Sequence, residues 1–121
     1  MHDQLVPKTD NSRMSAKTMI INGMRPIHPG EILREEFLEP LGMSVNALAK
    51  ALRVDATRMN EIVRERRRVS TDTALRLARY FDTTPEFWMN LQRDYELKTV
   101  AASDEGRSIL SEVIPREATT A

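Results

Sequence analysis

The chain has 121 residues, 18 basic and 18 acidic side chains, no cysteine, four glycines and few aromatics: one tryptophan, two tyrosines and three phenylalanines. That length fits a single domain. The missing cysteines exclude a disulfide scaffold, a thiol nucleophile and the usual zinc clusters, and so few aromatics and glycines argue against a β-sandwich. No apolar run approaches the roughly 18 residues that a membrane span needs. The N-terminal segment lacks the continuous apolar core of a secretory signal, so the sequence predicts a soluble cytoplasmic protein.

Residues 1–24 are polar and show no sustained period, which reads as a disordered segment; Met14, Met19 and Met24 are possible alternative starts. Order is expected from Arg25. A first helix begins at Pro29, where proline costs no hydrogen bond. It carries Ile32, Leu33, Phe37 and Leu38 inward and is expected to stop before Pro40 and Gly42.

Ser44 and Asp55 are good N-caps for two short helices. Leu48, Ala49 and Leu52 share one face of the first, and Met59, Ile62 and Val63 one face of the second. That is the three-and-four spacing of an amphipathic helix. The Arg53-Val54 connection allows only a sharp corner, as in a helix-turn-helix. Ser70 caps a fourth helix with Asp72 in its first turn, and Ala74, Leu75, Leu77, Ala78 and Phe81 are expected inside. Thr84-Pro85-Glu86 starts a fifth, with Phe87, Trp88, Leu91 and Tyr95 on one face, reaching about Val100. Asp104-Glu105-Gly106 is expected to break it, and a last apolar cluster follows: Ile109, Leu110, Val113 and Ile114. No strand is expected. The pattern predicts an all-α bundle of five helices, with residues 25–101 as the folded domain and 102–121 as a C-terminal extension.

Charge is neutral overall but unevenly placed. Residues 44–68 hold seven basic side chains (Lys50, Arg53, Arg58, Arg64, Arg66, Arg67, Arg68) against three acidic ones (Asp55, Glu61, Glu65). The segments on either side are net acidic, including Glu31, Glu35, Glu36 and Glu39 before it. A basic stretch between acidic ones suggests one face for a polyanion and another for a different partner.

The block His28 to Leu97, HPGEILREEFLEPLGMSVNALAKALRVDATRMNEIVRERRRVSTDTALRLARYFDTTPEFWMNLQRDYEL, resembles the HigA-type antitoxins, which are Xre/Cro-like helix-turn-helix proteins. Its specific parts are HPGEILREEFLEPLG before the helix-turn-helix and TDTALRLARYF with TPEFWMNLQ after it. The resemblance implies a five-helix, lambda-repressor-like DNA-binding bundle that works as a homodimer. It implies two activities: binding a palindromic operator near its own promoter, and neutralising a small toxin, typically a ribosome-dependent mRNA endonuclease. Two positions depart from the family pattern. Val45 stands where glutamine often holds a phosphate, leaving that contact to Asn46 or to the first amides of the helix. Arg53 stands where glycine is favoured, at a site expected to need positive φ.

If the third helix runs from Ala56 to Arg64, the family's docking brings Ala56, Thr57, Asn60 and Glu61 nearest the base edges. Ala56 could meet a thymine methyl, Asn60 could read adenine, Thr57 is promiscuous, and Arg58 could reach guanine or a phosphate. Asn46, Arg64, Arg66 and Arg67 are the candidates for phosphate, setting register rather than sequence. Trp88, Phe87 and Tyr95 read as core or dimer seam, and His28 as structural. Glu35 and Glu36 are adjacent and point apart. No catalytic grouping, metal site or cofactor site can be argued. Two other readings fit the same fold: a stand-alone repressor of the same type with no toxin partner, and a protein-binding adaptor that does not touch DNA.

Overall fold

His28 begins the folded chain in two ways. Its backbone is extended, and its imidazole Nδ1 accepts the Gly30 N–H at 2.8 Å, capping a helix that starts at Pro29. A computed structural model describes residues 25–117; the disorder expected for residues 1–24 lies outside them. The first helix, α1, runs in three stretches: Pro29–Ile32, a π-helical turn at Leu33–Leu38, and Glu39–Leu41. It therefore continues through Pro40, where the sequence predicted a stop. Proline offers no N–H to the carbonyl four residues back, and its ring crowds that carbonyl in an ordinary α-helix. The wider π turn just before it, in which the Glu39 N–H reaches the Arg34 carbonyl, makes the room. Gly42, at φ 62°, ends the helix.

Four more helices follow as expected: α2 (Val45–Leu52), α3 (Ala56–Val63), α4 (Thr71–Phe81) and α5 (Pro85–Ala101). The hydroxyls of Ser44, Ser70 and Thr84 accept the N–H groups of Ala47, Thr73 and Phe87, which satisfies donors that the helix itself cannot. Asp55 has the extended backbone of a cap but makes no side-chain capping bond. Arg53, Glu65 and Asp82 take the left-handed conformation, with φ of 63°, 63° and 57°, at the ends of α2, α3 and α4. Each helix end is closed by a backbone bond from the residue after: Val54 N–H to Ala49, Arg66 to Glu61, Thr83 to Ala78. That geometry suits glycine, and each side chain costs on the order of 1 kcal/mol there.

The core forms where these helices meet. Leu33, Leu48, Met59, Ile62, Leu77 and Trp88 are completely buried. Phe37 tilts against Phe81, Phe87 and Trp88, with centroids 4.9 to 6.3 Å apart, and the Trp88 indole N–H donates to Thr83 Oγ1 at 2.8 Å. Leu75, expected inside, is 54% exposed; Thr73 takes a buried place on α4 instead. A sixth helix, α6 (Asp104–Glu112), lies where the sequence predicted a break. Ser103 caps it through Gly106 N–H, and Gly106 sits so close to the Val100 carbonyl and the Ala101 backbone that no Cβ would fit. The chain turns at Ala102-Ser103, and α6 packs on the end of α5. The apolar side chains around it remain outside: Leu97, Ile109, Leu110, Val113 and Ile114 are all exposed.

Candidate nucleic-acid interface

Met59, Ile62 and Val63 turn one side of α3 into the core, so Ala56, Thr57, Asn60 and Glu61 are left toward solvent. The Asn60 side-chain amide donates to the Ala56 carbonyl at 2.9 Å and reaches Asn46 Oδ1 at 3.5 Å. Asn46 lies in the first turn of α2, so the structure brings a phosphate candidate and a base-edge candidate side by side. The exposed Thr57 and Ala56 lie at the N-terminal end of α3.

Arg58 is placed differently. Its guanidinium donates to Asp72 Oδ2 at 2.6 Å and to Thr73 Oγ1 at 3.3 Å, both on α4. Asp72 also accepts from Arg76, and these two hydrogen bonds hold its carboxyl below the ordinary carboxylate range. Arg58 therefore braces α3 against α4, and Ala56, Thr57 and Asn60 are left on the outer face of α3. Glu61 is engaged too, with Arg67 at 2.7 Å. The pair masks an acidic side chain that would otherwise repel a polyanion.

The segment after α3 is exposed from Arg64 to Arg68, yet it is tied down from two other helices. From α1, the Arg34 guanidinium donates to the Val63 carbonyl and to Glu65 at 3.2 Å. From α5, Gln92 Oε1 accepts the buried Val69 N–H at 2.7 Å, while Glu96 accepts from both Arg68, at 2.9 Å, and Gln92, at 3.0 Å. The Arg68 hydrogen bond holds the Glu96 carboxyl below its ordinary range. The side chains of Arg64 and Arg66 make no hydrogen bond or ion pair among the described residues, so their guanidinium groups are available to an anion.

Sequence reasoning missed the supporting residues Arg34, Gln92 and Glu96. Gln92 had a signal: it falls four residues after Trp88 on the apolar side of α5, and a glutamine at a core register must have a partner. Arg34 had none, because its partners lie 29 and 31 residues away.

A short helix pair with a sharp corner, a polar outer face and a buttressed arginine segment defines a helix-turn-helix unit. The helix-turn-helix family model matches residues 35–88. Virulence-associated protein I of Dichelobacter nodosus is 53% identical over 89 residues, which is 74% of this chain and 82% of that one. The antitoxin HigA of Pseudomonas aeruginosa, solved with the higBA promoter, is 55% identical with a TM-score of 0.73, over 76% of this chain and 99% of that one. Antitoxin GraA in complex with its operator is 54% identical with a TM-score of 0.71, over 76% of this chain and 92% of that one. The chain belongs to the HigA antitoxin family of Xre/Cro-type helix-turn-helix proteins. That family is a kind of DNA-binding regulator, not of enzyme. Among the described residues no helix is long and apolar enough to cross a membrane.

Proposed function

We propose that this chain is a cytoplasmic antitoxin that binds a palindromic operator as a homodimer, represses its own operon and neutralises a partner toxin of the mRNA-endonuclease kind. Residues 25–101 are the DNA-binding unit and 102–121 the extension. The observation that carries the DNA-binding reading is the pair of unengaged arginines, Arg64 and Arg66, at the end of a helix whose outer face is Ala56, Thr57 and Asn60. Arg64 and Arg66 neutralise phosphates, with Arg67 and the Asn46 end of α2 beside them, while Asn60 and Thr57 read base edges. Arg58 and Glu61, held in ion pairs, shape that surface and meet bases only by exchanging partners. The exposed apolar side chains of α5 and α6 supply a face for the second copy.

Fluorescence anisotropy with a duplex from upstream of the chain's own gene tests this reading. Binding of that duplex well above a scrambled one, with protected half-sites about 34–36 Å apart or a multiple of that, supports it. Equal affinity for both duplexes contradicts it. Co-purification with the product of a small neighbouring gene tests the toxin role; its absence when both are expressed favours the stand-alone repressor.

A further inference from the structure

One turn of α1 carries the back of the DNA-facing segment. Gly30 presses on the Ile62 carbonyl so closely that a Cβ there would collide with it, and Arg34 holds the Val63 carbonyl and Glu65. His28 completes the turn: 3% exposed, it accepts the Gly30 N–H through Nδ1, interacts with the Arg67 backbone, and meets the edge of the Tyr95 ring of α5 at 4.8 Å. A single imidazole thus touches the cap of α1, the arginine segment and α5.

We infer that neutral His28 is a positioning residue for operator binding, and that protonating it releases the Arg64–Arg68 segment and weakens the complex. This rests on the DNA-binding reading above. A protonated ring would turn an N–H toward the Gly30 N–H, so that two donors face each other and the cap is lost. The charged groups around the ring are Glu31 and Arg34 on α1 and Glu65 after α3; α5 contributes the uncharged Tyr95 ring. The two carboxylates favour the charged ring and Arg34 opposes it, but burial is the largest influence and holds the histidine below its ordinary value. The folded state therefore binds this proton less readily than the unfolded chain. Its contribution to stability is complete above about pH 6.5 and is lost as pH falls through and below that value.

The sign makes the inference testable. Protonation elsewhere adds positive charge and strengthens binding to a polyanion, whereas protonation of His28 does the opposite. Operator affinity of the full chain is measured from about pH 8 to about pH 5.5 at constant ionic strength. It falls by up to about tenfold per pH unit once the free protein's His28 begins to charge. His28→Asn keeps an oxygen for the Gly30 N–H but cannot titrate, so its affinity loses the acid-side fall; His28→Gln replaces it if the asparagine variant does not fold. A wild-type affinity that is flat or rises toward acid overturns the inference, as does a variant that keeps the wild-type fall. Backbone amide shifts of Arg66, Arg67 and Arg68, followed by NMR without DNA, titrate with the His28 ring. Independence of those shifts from the ring overturns the inference even if the duplex does not bind at any pH, an outcome that counts separately against the DNA-binding reading.

Discussion

The edge formed by α3 and the arginine segment and the end formed by α5 and α6 are both exposed, and they are built in opposite ways. The first is polar, and its backbone is fixed from behind by Arg34, His28 and Gln92, with Glu96 holding the Arg68 and Gln92 side chains. The second displays Leu97, Ile109 and Leu110, at 63%, 47% and 78% exposure, on helices joined by a two-residue corner. A surface that must match a rigid duplex benefits from preorganisation, because ordering it on binding would subtract from affinity. A surface that gains from being covered needs apolar area more than fixed polar geometry. Under the proposed function, the contrast separates a reading edge from an assembling end.

Mutations that cut beneath the reading edge should have the largest effect. Met59→Ala empties a fully buried site under α3 and should cost about 2–5 kcal/mol of unfolding free energy by chemical denaturation. A smaller loss would mean that α3 repacks easily and that its outer face is not rigid. Gln92→Leu removes the acceptor of the Val69 N–H and a donor to Glu96. It should cost about 1–3 kcal/mol, and increased hydrogen exchange at Val69 should locate the damage. At the other end, Leu110→Asp should leave the monomer's unfolding free energy within about 0.5 kcal/mol, as for exposed sites generally, while light scattering shows the dimer dissociating. Unchanged dimerisation would remove that end from the interface. The smallest effect is at the corner: Arg53→Gly relieves a left-handed side chain and should leave stability unchanged or raised by up to about 1 kcal/mol. A clear fall in Tm would show that the Arg53 side chain contributes packing.

The reading edge was legible in outline and the assembling end was not. Ser44, Ser70 and Thr84 were visible because a cap is a local arrangement, decided within three residues. The inward faces of α2 and α3 were visible because 3.6-residue periodicity is local too. The positive φ at Arg53 was expected from the family resemblance, whose pattern favours glycine at that corner. Pro40 misled because proline ends most helices, and only a π turn several residues long accommodates it. Asp104-Glu105-Gly106 misled in the same way. Its glycine is there so that α6 can cross the Val100 carbonyl closely, a reason that depends on a neighbouring helix. Arg58 was read as a candidate for guanine or a phosphate; its ion pair with Asp72, 14 residues away on α4, left no local signal. The local pattern located the surface; contacts distant in sequence decided which of its side chains are free.

The central claim is that Arg64 and Arg66 hold the backbone while Asn60 reads sequence. It is tested most directly by measuring affinity for operator and scrambled duplex over a range of salt, with wild type, Arg66→Ala and Asn60→Ala. Arg66→Ala should weaken both duplexes alike and lower the salt slope by about one. Asn60→Ala should leave the slope unchanged and cost about 1–3 kcal/mol of discrimination at one base position. An unchanged slope for Arg66→Ala, or an unchanged sequence preference for Asn60→Ala, would contradict the account.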